Sequence, residues 1–158
     1  MLIAAPSRGS NYLETRSRLA KALSESTPFK RIQIVDDTQF DADVLAGLLR
    51  KILGRDTAID IARNLNMLHR QWAEHRPDLV FLDDRLGQMG SATVNVPNLR
   101  RMGFTGPLVI VSGMMLRDRR AELMRIGVHE ALHKDDLDSE RLIRLFLQLL
   151  DGGTSAPV

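Results

Sequence analysis

Apolar residues fall into two alternating patterns along this chain. Solid runs such as Leu79-Val80-Phe81-Leu82 and Leu108-Val109-Ile110-Val111 are too short for helices of their own. They suit strands buried on both faces, as in the middle of a parallel sheet. Between such runs the apolar positions recur every three or four residues, the period of a helix with one buried face. Phe40, Val44, Leu45, Leu48, Leu49 and Ile52 keep that period up to Gly54. The segment 63–75 carries Leu65, Leu68 and Trp72 and is halted before Pro77. Further helices are predicted over about 92–102, where Pro97 points to a late start, over about 117–126, and from Leu137 to Leu150. Strands are predicted over 30–35, 57–61, 79–82, 107–111 and 129–133. Five strands alternating with five helices predict an α/β protein, a doubly wound parallel sheet covered on both faces.

Ahead of the first strand, Tyr12, Leu19 and Leu23 share one helical stripe, with Leu13 and Ala20 beside it. With Ser10 as N-cap, this predicts an extra N-terminal helix over 10–26. It reads either as a helix loosely attached to the surface or as one that binds a partner or a second copy. Residues 1–9 show no periodicity and are expected to be disordered, as is the tail 152–158. The chain therefore divides into a leader, 1–30, a globular body, 31–151, and that tail. Nothing after 151 is long enough for an output domain, so whatever the body controls is expected to be another molecule.

Composition narrows the class. A chain of 158 residues with 44% hydrophobic and 27% charged content is that of one soluble domain. With no cysteine there is no disulfide scaffold and no thiolate site. No apolar run approaches 18 residues, and the start, Met1 to Pro6, is too short for a secretory signal. A cytoplasmic protein with no membrane span is the expectation. The net charge of +2 is unevenly placed: residues 1–31 hold six bases and two acids, and the remainder sixteen bases and eighteen acids. Eighteen of the 22 bases are arginine, which favours paired contacts with carboxylates or phosphates.

The candidate chemistry lies where strands end. The run Leu79–Leu82 stops on Asp83-Asp84, and the strand 30–35 runs into Asp36-Asp37. The strand 107–111 ends in Ser112-Gly113, and 129–133 leads into Lys134. Ends of parallel strands open into the crevice where α/β sheets hold ligands. Taken alone, Asp83-Asp84 reads equally well as the start of a solvated turn; the second acid-ended strand tips the balance. Carboxylates gathered that closely repel unless a cation lies among them, and oxygen donors with room for water suit Mg²⁺.

Together, Asp36-Asp37, Asp83 within Asp78-Leu79-Val80-Phe81-Leu82-Asp83, Ser112-Gly113 and Lys134, seven residues after Gly127, resemble a response-regulator receiver domain. That is the CheY-like phosphoacceptor module of bacterial two-component signalling, and the resemblance covers about 31–151. It implies a flavodoxin-like fold and a single-domain regulator that is not an enzyme, catalysing only its own phosphorylation and dephosphorylation. Asp83 would accept the phosphoryl group from a sensor histidine kinase, a histidine phosphotransfer protein or a small phosphodonor. Mg²⁺ would be held by Asp37 and Asp83, by Asp36 through water, and by the backbone carbonyl of Arg85. Lys134 would pair with the phosphoryl oxygens, and the Ser112 hydroxyl would turn inward to one of them. Output would pass to an unnamed protein target, without a DNA-binding domain, and with homodimerisation left open.

Four positions depart from the family pattern. Asp84 stands where an apolar residue is usual, either as a further acid by the metal or pointing at solvent. Ala131 replaces the switching aromatic, which leaves Ser112 and the loop Gly113–Leu116 to carry the signal. Asp135 replaces the proline after the lysine, and Arg85 puts a cation beside the acids. A competing reading is a phosphate-blind binding module that takes a protein or a cyclic dinucleotide through Arg117, Arg119, Arg120 and Arg125. A metal-dependent phosphohydrolase is disfavoured, because Arg85 stands where a haloacid-dehalogenase-type phosphatase needs a second acid. His69, His75, His129 and His133 show no ligand spacing.

Overall fold

Solid apolar runs became strands and periodic stretches became helices in the computed structural model, which describes residues 8–25 and 29–152. The elements are α1 Arg8–Glu25, β1 Arg31–Val35, α2 Gln39–Leu53, β2 Ala58–Ala62, α3 Leu65–Glu74 and β3 Leu79–Asp83. They continue with α4 Ala92–Arg101, β4 Leu108–Ser112, α5 Arg117–Arg125, β5 Glu130–His133 and α6 Ser139–Gly152. The strands form one parallel sheet in the order β2-β1-β3-β4-β5. Disorder expected for residues 1–7 and 153–158 falls outside the described residues; Arg8 and Gly9 lie within α1 and Gly152 within α6.

The sheet is buried on both sides, and the two-residue period of its strands sorts the core into two layers. Ile32, Ile34, Leu79, Phe81, Val109 and Val111 face α2 and α6, where Leu45, Leu49, Leu142 and Phe146 are buried. Val35, Val80, Leu82, Leu108, Ile110 and Ala131 face the other way, with Leu68, Trp72, Val96, Leu99 and Leu123 of α3, α4 and α5. Each large side chain fully buried in this way contributes roughly 1.5–3 kcal/mol. Gln33 is a polar residue within the second layer: its amide donates to Gln71 Oε1 at 2.9 Å and accepts the Trp72 indole N–H at 3.2 Å.

Two expectations need correction. The leader helix is not loosely attached. It packs along α6, with Leu19 buried in the first core layer and Tyr12 and Leu23 partly buried against it, while Leu13 is exposed. Nor does α4 start late: it begins at Ala92 and runs through Pro97. Proline has no N–H to give the carbonyl four residues back, at Thr93. The Thr93 side chain is itself held from outside the helix, as described below.

Candidate functional site

Each predicted site residue lies at the carboxyl edge of the sheet. Parallel register sets Asp83 opposite Val111 and Ser112 opposite His133, so the four strand ends arrive together. Asp36 and Asp83 are buried and Asp37 is exposed, yet one carboxylate oxygen of each lies within 4.8 Å of the others. Lys134, in a one-turn 3₁₀ segment after β5, reaches across to them. Its Nζ is 2.9 Å from Asp36 Oδ2 and 3.4 Å from Asp83 Oδ2.

The electrostatics follow from this crowding. Burial, and then the charge of Asp36, push the Asp83 carboxyl up to about 7, against the pull of Lys134. Burial alone would lower the Lys134 ammonium. Hydrogen bonds to Asp41 and Asp36 outweigh it and hold the group well above its ordinary value. The pocket thus carries more negative charge than one lysine balances. A donor set of three carboxylates so arranged fits a hard divalent cation. The loop after β3 passes beside the acids: Gly87 has φ +57°, and a Cβ there would lie 3.4 Å from Asp37 Oδ2.

Other predicted residues are placed less directly. The Ser112 hydroxyl is buried and turned onto its own loop, donating to Met114 O at 3.0 Å and accepting from Met114 N at 3.1 Å. Arg85 is exposed; its backbone N–H donates to Asp83 Oδ1 at 3.4 Å. Its side chain lines a cavity of about 530 Å³ with Asp84, Gly87, Gly90, Ser91 and Arg119. Ala131 is buried under α5. No peptide bond among the described residues is cis. Burial, and then the charge of Arg100, lower the His129 imidazole pKa, and its Nδ1 accepts the Leu108 N–H at 3.4 Å.

Asp84 neither joins the acids nor points at solvent. Successive residues of a strand face opposite layers, so Asp83 continues the Phe81 side and Asp84 the Leu82 side. There Asp84, buried, meets Arg119 of α5 in a two-point pair: Nε to Oδ2 at 2.9 Å and Nη2 to Oδ1 at 2.5 Å. The Ala92 N–H donates to Asp84 Oδ1 at 3.2 Å, and Arg119 Nη1 donates to Thr93 Oγ1 at 2.9 Å. Burial would raise the Asp84 carboxyl, but the Arg119 and Ala92 bonds hold it below the usual range. The neighbouring Arg120 pairs with the buried Glu130 on β5 at 2.6 Å, and Arg141 of α6 reaches the same carboxylate at 3.5 Å. Two adjacent arginines therefore fasten α5, whose one fully buried side chain is Leu123, to the sheet.

Sequence reading missed two residues that contact the strand-end acids and Lys134. Asp41, in the first turn of α2, puts Oδ2 2.8 Å from Lys134 Nζ. Its one sequence signal is its place four residues after Asp37, on a helix that starts from the acid pair. Arg119 stood among four arginines with nothing to mark it as the partner of Asp84.

Sheet order, crossovers and strand-end site together define the fold of response-regulator receiver domains. Solved structures agree. The signal receiver domain of a DNA-binding response regulator from Colwellia psychrerythraea 34H superposes with a TM-score of 0.64 at 22% identity, over 77% of this chain and 98% of that one. A CheY-like receiver domain from Methanospirillum hungatei JF-1 gives 0.64 at 19% identity, over 78% and 94%. The receiver domain of a putative LuxO repressor from Vibrio parahaemolyticus gives 0.65 at 17%, over 78% and 91%. No protein-family model matches the chain. No curated protein sequence matches it either. Among the described residues no helix is long and apolar enough to cross a membrane.

Proposed function

We propose that this chain is a phosphoacceptor of two-component signalling, with Asp83 as the residue that takes the phosphoryl group. One observation carries the reading: Asp36, Asp37 and Asp83 converge at one sheet edge with the Lys134 ammonium among them. A carboxylate oxygen of Asp83 attacks phosphorus, the bond from phosphorus to the donor's histidine nitrogen or acyl oxygen breaks, and an acyl phosphate remains on Asp83. Mg²⁺ held by Asp36, Asp37, Asp83 and the Arg85 carbonyl would supply the positive charge that lets two anions approach. Lys134 takes a phosphoryl oxygen. Ser112 joins it once its hydroxyl leaves the Met114 backbone, which ties acceptor chemistry to the loop Gly113–Leu116. The chain is not an enzyme, catalysing only its own phosphorylation and dephosphorylation; it works in the cytoplasm and answers to a histidine kinase or phosphotransfer protein. Its output is contact with another protein.

The phosphate-blind alternative drew on four arginines of α5. Arg119 and Arg120 are engaged with Asp84 and Glu130, so that surface offers half the charge the alternative counted on. The test is to incubate the chain with acetyl phosphate and Mg²⁺ and locate the added mass. Labelling at Asp83 supports the proposal. Labelling elsewhere, or none under conditions that label an authentic receiver, overturns it.

A further inference from the structure

Of the three carboxylates within ion-pair reach of Lys134, Asp41 makes the shortest contact, 2.8 Å against 2.9 Å for Asp36 and 3.4 Å for Asp83. An ammonium has three N–H donors; here it donates to Asp41 and Asp83 and lies within ion-pair distance of Asp36. Two of the acids have other tasks. Asp36 also accepts the Thr38 N–H at 2.9 Å and, with Asp37 and Asp83, offers an oxygen to a cation, and Asp83 is the acceptor in the function proposed above. Asp41 has no second partner of that kind. It is also the most exposed of the three, at 36% of its side chain. When a phosphoryl group on Asp83 needs a donor, Asp41 is the partner Lys134 can leave at least cost, because water can replace the ammonium there.

We propose that Asp41 is a positioning residue. It holds the Lys134 ammonium between α2 and the strand ends, and a phosphoryl group on Asp83 must draw the ammonium away from it. The proposal rests on the phosphoacceptor reading and adds to it a competitor that sets how readily Lys134 changes hands. A purely structural account is that an acid in a helix's first turn complements the helix dipole. That account predicts an effect on melting and none on the affinity for a phosphoryl mimic.

The experiment titrates the full chain, in saturating Mg²⁺, with beryllofluoride, following amide resonances at Asp83 and Lys134. Asp41→Asn is expected to bind about three- to fivefold more tightly than wild type, the weight of one partly exposed ion pair no longer given up. In a Lys134→Gln background the same substitution should leave affinity unchanged, since the coupling runs through the ammonium. Unchanged or weaker binding by Asp41→Asn overturns the proposal. So does an equal gain in both backgrounds, which would mean that Asp41 acts only as one more negative charge. If Lys134→Gln binds too weakly to titrate, the Lys134 ¹⁵Nζ resonance decides: Asp41→Asn must shift it in the free protein, and an unmoved signal overturns the idea. Wild type that takes no beryllofluoride at all would instead overturn the phosphoacceptor reading, and this inference with it.

Discussion

Replacing Arg119 with methionine would leave a charged carboxylate inside the second core layer. Asp84 has 4% of its side chain exposed and Arg119 23%, so the pair is neither fully buried nor at the surface. Removing one partner from a fully buried pair costs about 3–5 kcal/mol, whereas an exposed pair contributes about 0–1 kcal/mol. Asp84 keeps the Ala92 N–H, and water can enter where the guanidinium lay. Both place the expected loss nearer about 2–3 kcal/mol. For a chain of this length that lowers the melting temperature by roughly 5–10 °C. Urea unfolding followed by the fluorescence of Trp72, the single tryptophan, would measure it. The sign with pH is fixed by the depressed Asp84 carboxyl. Its contribution is present above the unfolded carboxylate value, about 3.9, and is lost as pH falls through the folded one. The gap between wild type and Arg119→Met should be full at neutral pH and close in acid. Changing both partners to apolar residues, Asp84→Leu with Arg119→Met, should recover most of the loss. A cost below about 0.5 kcal/mol, or a double variant no better than the single one, would refute the clamp as a stabilising element.

Asp83→Asn should abolish Mg²⁺-dependent labelling by acetyl phosphate, while Asp84→Asn, which faces the other layer, should keep most of it; mass mapping of the labelled chain separates the two. Mg²⁺ should raise the melting temperature, because binding to the native state alone stabilises it, and Asp37→Ala should shrink the rise; a thermal scan with and without the ion reads this directly. In metal-free protein Asp83, pushed up to about 7, binds a proton more readily folded than unfolded. Stability should therefore fall as pH rises from about 4 to about 7, and the slope should flatten in Asp83→Asn when urea midpoints are compared across that range.

Sheet and helix order were legible because strands buried on both faces write solid apolar runs and the covering helices write a 3.6-residue period. Strand limits moved by about one residue: 57–61 became Ala58–Ala62, and 107–111 became Leu108–Ser112. Chain order also brought the acids and Lys134 to one edge, as expected. What escaped was direction. The two-residue period of β3 already assigns Asp83 and Asp84 to opposite layers, yet an Asp-Asp pair at a strand end reads as one acidic feature until that period is carried past the last apolar residue. Asp41 escaped for another reason. An acid in a helix's first turn has an ordinary explanation in the dipole, and its lysine lies 93 residues away. Ser112 was placed but not oriented, since a hydroxyl that can serve a ligand can equally close its own turn. Pro97 was read as delaying the helix start, yet the helix runs through it, and Asp84 and Arg119 secure its first turn from outside.

The packing of α1 has a practical consequence for anyone expressing pieces of this protein. Family likeness begins near residue 31, and a fragment cut there would seem a natural minimal unit. Such a fragment would lose Leu19, Tyr12 and Leu23 and uncover the apolar surface along α6 on which they pack. A bare apolar face of that kind invites self-association. Boundaries for soluble expression should therefore start ahead of Arg8, and the leader is better treated as the sixth helix of the fold than as a tag in front of it.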